Sequence, residues 1–170
     1  MIPRSLTLVL GGARSGKSRH AEALVEAFPA PWTYVATAQA YDDEMRRRIA
    51  EHRARRPAGW RTVEAPLALP EALRNVNPGQ PVLVDCLTLW LTNLILGERD
   101  VAVATGELLA ACRQVEAPLV LVSNEVGLGI VPENALARRF RDEAGRLHQR
   151  LAAQADSVVF MVAGLPMTVK

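Results

Sequence analysis

Residues 6–18 read Leu-Thr-Leu-Val-Leu-Gly-Gly-Ala-Arg-Ser-Gly-Lys-Ser. An apolar run, 6–10, ends at Gly11, and a helix-compatible stretch, 18–28, begins where the glycine-rich segment stops. Gly11, Gly12, Ala13, Arg14, Ser15, Gly16, Lys17 and Ser18 satisfy G-x-x-x-x-G-K-S, the phosphate-binding P-loop, in the strand–loop–helix context the motif requires. Glycines let successive backbone N–H groups turn inward around an anion. The following helix directs its positive end at the same point. Lys17 is placed to reach the outer phosphates of a nucleoside triphosphate, and Ser18 to hold Mg²⁺.

Further short apolar runs at 33–36, 82–84, 119–122 and 158–162 are rich in Val and Leu without alternation, as in strands covered on both faces. Helical stretches are expected at 42–55, 88–96, 102–115 and 133–153. Strands alternating with helices predict an α/β fold: a single-domain P-loop nucleotide-binding fold over 1–170, with a mostly parallel central sheet flanked by helices. Pro29-Ala30-Pro31, Asn77-Pro78-Gly79 and Ala117-Pro118 punctuate the connections. Ligands of such sheets bind beyond the carboxyl ends of the strands. Those ends carry the P-loop, Thr37 to Gln39, Asp85, Ser123-Asn124-Glu125 and Gly164.

The chain has 170 residues, 49% of them hydrophobic, enough for one domain with a sizeable core. A net charge of +2 does not indicate a general nucleic-acid binder. Cys86 and Cys112 are the only cysteines and form no CxxC, so a reduced, cytoplasmic protein is the simplest expectation. No signal-peptide h-region precedes the P-loop, and no apolar run is long enough to span a bilayer.

Asp85 closes the run Val82-Leu83-Val84, which is the Walker-B arrangement for holding Mg²⁺ directly or through water. Arg46, Arg47, Arg48, Arg53, Arg55 and Arg56 crowd one stretch that also contains His52. Composition alone favours a solvated helix face paired with Asp42, Asp43, Glu44 and Glu51. The sharper alternative is a cationic arm that clamps phosphate oxygens. A neutral imidazole can attack phosphorus and hold the transferred group as a phosphoramidate. The surrounding arginines would disfavour an imidazolium at His52. His20 and His148 lack such surroundings, and His20 is read as structural. Asn124 to Pro132 form a glycine-containing loop after a strand. The helix after it carries Arg138, Arg139, Arg141, Arg146 and Arg150, and their spacing does not say which face a ligand.

Four segments, GGARSGKSRHAE (11–22), YVATAQAYDDEMRRRIAEHRARRPAGWRTVE (34–64), LVDCLTLWLTN (83–93) and VSNEVGLGIVPENALARRFRDEAGRLHQRLAAQAD (122–156), together resemble the bifunctional adenosylcobinamide kinase / adenosylcobinamide-phosphate guanylyltransferase family. They cover most of the chain in order; the first is a common P-loop, and the second and fourth are far more specific. The resemblance implies phosphorylation of the aminopropanol hydroxyl of adenosylcobinamide by ATP or GTP. It further implies transfer of GMP from GTP onto that phosphate, giving adenosyl-GDP-cobinamide and pyrophosphate. The histidine of R-I-x-x-H-x-x-x-R-P is guanylylated in the family, and here it is His52. The resemblance carries nucleotide binding onto the P-loop, Ala36, Thr37, Ala38, Arg53, Ala54, Arg55, Arg56, Glu64 and Asp85, with Ser18 and Asp85 on Mg²⁺. It reverses the bland reading of the arginine cluster. Glu64 is assigned to guanine, whose two adjacent N–H groups a carboxylate can accept. A homotrimer is also implied.

Two departures stand out. His148 occupies a position where the family pattern has asparagine, and the stretch 94–105 is short; neither removes a catalytic residue. Two other readings keep less of the pattern: a P-loop small-molecule kinase with an idle His52, and a nucleotide-dependent binding protein with slow hydrolysis and no transfer.

Overall fold

A computed structural model describes residues 2–170. The first strand, β1 (Ser5–Gly11), lies inside a seven-stranded sheet and passes through the P-loop into helix α1 (Lys17–Glu26). Then follow β2 (Trp32–Ala36), α2 (Asp43–Arg55), β3 (Trp60–Glu64), α3 (Leu69–Arg74), β4 (Val82–Asp85), α4 (Leu87–Leu96), α5 (Val101–Gln114), β5 (Pro118–Asn124), α6 (Ala135–Gln154), β6 (Ser157–Val162) and β7 (Leu165–Thr168). The strand order is β3-β2-β4-β5-β1-β6-β7. All neighbours pair in parallel except β6 and β7.

Strand residues alternate between two cores. Leu6 and Leu8 of β1, Val82 and Val84 of β4, and Leu119 and Leu121 of β5 face one core, which α3 to α6 complete. Val9, Leu83, Val120 and Val122 face the other, against Ala21 and Val25 of α1. A sheet buried on both faces explains the unbroken apolar runs. The helix starts are fixed by the chain itself: Asp42, Asp100 and Asn134 each accept a hydrogen bond from the backbone N–H three residues on, at 2.7, 3.0 and 3.0 Å.

Each of the five expected strands and five expected helices is present, displaced by no more than a few residues. Three elements were not expected. Strand β3 is a sheet edge of Trp-Arg-Thr-Val-Glu with no buried residue, so it carries no apolar run. Helix α3 has only six residues and opens with Pro70 in its first turn. Strand β7 is exposed at all four positions and contains Pro166, which an edge tolerates. Ala163 and Gly164, with φ of 52° and 80°, make the two-residue turn that returns β6 into β7.

Helix α2 is the exception to the layered plan. It buries none of its 13 residues, whereas α4 buries seven of ten.

Candidate active site

The P-loop is held from several sides. Arg14 and Gly16 adopt φ of 52° and 91°, which turns the backbone around the loop. A Cβ at Gly11 would come within 2.5 Å of Ser15 Oγ, so this position must stay bare. The backbone N–H of Gly164 in the β6–β7 turn donates to Ser15 O at 3.0 Å, and the N–H of Glu125 donates to Gly11 O at 2.8 Å. Lys17 is buried, and its Nζ donates to Gly12 O at 2.5 Å. Burial holds its pKa below the ordinary lysine value, and the nearby Asp85 carboxylate opposes that shift. Ser15 Oγ is buried with no hydrogen-bond partner among the described residues. A phosphate oxygen is the kind of acceptor that hydroxyl fits.

Asp85 is the meeting point beyond the loop. Its Oδ2 accepts from Ser18 Oγ at 2.9 Å and from the Tyr34 hydroxyl at 2.9 Å. Ser18 and Asp85 were paired by the sequence as Mg²⁺ holders, and the fold brings them together. A hydroxyl and a carboxylate are the hard oxygen donors that Mg²⁺ takes alongside phosphate oxygens. Among the described residues no cluster of three or more His, Cys, Asp or Glu is present that could hold a metal ion. Tyr34 is pushed well above its ordinary pKa by burial, by the Asp85 charge and by donating to it, so it stays a donor.

The carboxyl ends of β2 and β4 are stitched together at Thr37. Its hydroxyl donates to Cys86 O at 2.6 Å and accepts from Cys86 N–H at 2.9 Å. Ala36 is part-buried at the end of β2, opposite Asp85 in the β2–β4 register, and Ala38 follows the stitched Thr37.

The C-terminal part of α2 meets this arrangement through its arginines. Arg56 stacks its guanidinium 3.7 Å above the centre of the Tyr34 ring, and its Nη2 lies 3.5 Å from Thr62 Oγ1. Arg55 pairs with Glu22 of α1 at 3.3 Å, and Arg53 with Glu64 of β3 at 3.7 Å. Burial raises the Glu22 carboxyl above its ordinary value, and Arg55 and Arg56 oppose that shift. Among the described residues only Arg46 forms an ion pair inside the helix, with Asp43. Within α2 itself, therefore, the solvated-face reading holds for that one pair, while Arg53 and Arg55 reach other elements. His52 and Ala54 lie on the exposed surface of the same turns.

The arginines of α6 divide. Arg141 donates to Gly127 O at 2.8 Å and Arg138 to Pro132 O at 2.9 Å, so both brace the loop that precedes their own helix. His148 is buried, with Nε2 2.7 Å from Ser123 Oγ at the end of β5. Two surface grooves lie elsewhere: about 240 Å³ between α4 and α6, floored by Ile95, Leu96 and Phe140, and about 370 Å³ beside Trp90 and Leu94. Neither includes a residue named above for the nucleotide.

A family model described as cobinamide kinase / cobinamide phosphate guanyltransferase matches residues 7–169. The chain belongs to this family. It is 55% identical over 172 residues to the bifunctional adenosylcobalamin biosynthesis protein CobP of Pseudomonas aeruginosa, covering 96% of each chain. It is 46% identical over 181 residues to the bifunctional adenosylcobalamin biosynthesis protein CobU of Escherichia coli K12, covering 97% of this chain and 99% of the relative. Among solved structures, a type III secretion system ATPase matches with a TM-score of 0.57 at 11% identity, over 96% of this chain and 56% of that one. A Pyrococcus horikoshii OT3 protein matches with a TM-score of 0.56 at 10% identity, over 100% and 88%. These two likenesses concern the fold.

Tyr34, Glu22 and Asn93 were not singled out in the sequence, although each joins the network around Asp85, the α2 arm or Thr37. Tyr34 reads as strand core, Glu22 as one acid on an amphipathic helix, and Asn93 as the end of an apolar helix. Only Asn93, a buried amide among Leu91, Leu94 and Ile95, carries a signal that sequence alone could have raised.

Proposed function

We propose that this family member performs both steps on one 170-residue domain. It phosphorylates the hydroxyl of adenosylcobinamide with ATP or GTP, then transfers GMP from GTP to that phosphate, giving adenosyl-GDP-cobinamide for cobalamin biosynthesis. His52 is the nucleophile of the second step. The observation that carries the reading is the seating of the arm: Arg55 on Glu22, and Arg56 over Tyr34, whose hydroxyl is bonded to Asp85. The turns that bear His52 thereby reach the residues around Asp85 at the end of β4.

The P-loop backbone and Lys17 would cradle the β- and γ-phosphates. Ser18 and Asp85 would hold Mg²⁺, which when bound neutralises phosphate charge as the leaving group departs. In the kinase step, the acceptor hydroxyl attacks the γ-phosphorus, loses its proton and releases the nucleoside diphosphate. In guanylyl transfer, a ring nitrogen of His52 attacks the α-phosphorus, and the bond from that phosphorus to the bridging oxygen breaks. Pyrophosphate leaves with the electron pair, its charge met by Lys17. The acceptor phosphate then attacks the same phosphorus, and the P–N pair returns to His52. Glu64 is the reader of guanine, and Arg53 sits 3.7 Å from it.

A homotrimer suits the surface. Leu128, Ile130, Val131 and Leu136 are exposed apolar side chains on the loop after β5 and the start of α6, and α2 has no buried residue of its own. Two free cysteines, both buried, suit a reducing cytoplasm, and no helix among the described residues is long and apolar enough to cross a membrane.

Intact-protein mass after incubation with GTP and Mg²⁺, without acceptor and at alkaline pH, tests the central step. A gain of one GMP that disappears in His52→Ala, with phosphorylation of adenosylcobinamide retained, is the expected outcome. No gain in protein that binds GTP leaves a small-molecule kinase. Simultaneous loss of both activities in folded His52→Ala breaks the division of labour.

A further inference from the structure

Asn93 lies on the most apolar helix among the described residues, yet it is a buried amide whose nitrogen donates twice. Its Nδ2 donates to Thr37 O at 2.8 Å and to Pro66 O at 2.9 Å. Its Oδ1 faces the Tyr41 hydroxyl at 3.2 Å, and that hydroxyl also bonds the Gln39 side chain. Both neighbours of the nitrogen are carbonyls, which cannot donate, so only the amide NH₂ satisfies this position. Neither leucine nor aspartate could replace it.

The two carbonyls belong to different arms of the site. Thr37 follows β2 and opens the segment that enters α2 at Asp43. Pro66 follows β3 and Glu64, and the β2 and β3 ends are joined by Ala65 N–H donating to Ala36 O at 2.8 Å. Because α2 buries none of its own residues, the position of His52 depends on what fastens the two ends of that helix. At the C-terminal end these are the Arg55–Glu22 and Arg56–Tyr34 contacts. At the N-terminal end it is the segment that Asn93 and Tyr41 hold.

We propose that Asn93 is a positioning residue for guanylyl transfer: one buried amide sets both the root of the His52 arm and the chain just after Glu64 at the end of β3, while leaving the P-loop untouched. The inference rests on the guanylyl-histidine reading above. The P-loop has its own fastenings at Gly11, Ser15 and Gly12, none of which involves Asn93. The two half-reactions therefore respond differently to its loss.

Asn93→Asp is the sharpest variant, being equal in size but presenting oxygen to both carbonyls. Adduct formation with GTP slows about 10–100-fold, because a shift of about an ångström at a reacting group suffices for that. Kinase turnover and the KM for nucleotide stay within about threefold, since the cradle is not displaced. Adduct formation at the unaltered rate, or equal losses in both activities, overturns the proposal. Should Asn93→Asp fail to fold, Tyr41→Phe carries the test: a selective slowing of adduct formation is expected, and an unchanged ratio of the two activities overturns the role. The failure of the underlying reading looks different. Unaltered protein without a GMP adduct removes the guanylyl-histidine and this proposal together, whereas equal labelling of the unaltered and Asn93→Asp proteins removes only the part given to Asn93.

Discussion

The P-loop and the α2 arm are assigned the two ends of one triphosphate, yet they are held in opposite ways. The P-loop grows out of a central strand, and its lysine is buried and bonded to its own backbone. The arm has no buried side chain and is attached by one amide clasp and a few guanidinium contacts. Packing rigidifies a site and fixes its geometry. A helix without packing depends on a few polar contacts and can take up a second position when one of them changes. On the proposed reading, two successive transfers would use such a pairing, the cradle gripping phosphates in both and His52 on the arm acting in only one.

The largest effect is expected on the cradle side. Lys17→Ala removes the cation from the phosphate site and from its bond to Gly12 O. Both activities fall by at least about 10²-fold, the usual scale for deleting one electrostatic contact to a transition state. Parallel assays of phosphorylation and GMP labelling check it. A loss confined to labelling would erase the contrast, since the two transfers would then not share the cradle.

Gly16→Ala comes next. Its φ of 91° is costly for any residue with a Cβ, and that Cβ would meet Gly164 Cα at 3.2 Å. A destabilisation of about 1–2 kcal/mol is expected from the left-handed backbone alone, read as a fall in the chemical-denaturation midpoint. On the arm side, Arg55→Ala separates the regions. The Arg55 side chain is 53% exposed, so the ion pair contributes only about 1 kcal/mol to stability. Losing it leaves the Glu22 carboxyl buried without that cation, and its pKa rises further above the ordinary value. An acid raised in the fold lowers stability as pH increases from its unfolded value through its folded value. The variant therefore loses stability relative to the unaltered protein as pH rises past the unaltered protein's own raised Glu22 value towards the variant's still higher one. GMP labelling drops several-fold while kinase activity holds; equal loss of both would mean that Arg55 serves the cradle.

These regions were also unequally legible in the sequence. The P-loop was readable because backbone chemistry fixes it: glycines at set spacing, a lysine, a hydroxyl, and a strand before them. The central strands were readable because a sheet covered on both faces admits only apolar runs. The arm was visible as a helix with arginines, but its partners were not. Glu22 lies 33 residues from Arg55 and Glu64 closes the next strand, and no periodicity links them to Arg55 and Arg53. Tyr34 was hidden because a tyrosine in an apolar strand reads as core, and it becomes a partner of Asp85 only through the pairing of β2 with β4. Strands β3 and β7 escaped because edge strands do not need apolar faces.

The smallest expected effect lies at the one position where the family pattern was read as asparagine. His148 is buried at the end of β5, with Ser123 Oγ against its Nε2, and burial lowers its pKa while the Glu125 charge opposes the shift. A histidine lowered in the fold binds a proton more readily when unfolded. Its contribution to stability is complete above the unfolded value of about 6.5 and declines as pH falls from there to the folded value. His148→Asn keeps a group able to bond Ser123 but carries no titrating ring. Denaturation midpoints of the two proteins should therefore run parallel above about pH 7 and diverge below it, with the asparagine variant losing less. Parallel curves down to pH 5 would mean that the histidine gains a proton in the fold as easily as in the unfolded chain. The end of β5, which packs beside the P-loop through Glu125 and Gly11, would then yield to a charge as readily as the arm does, and the contrast between the two regions would weaken.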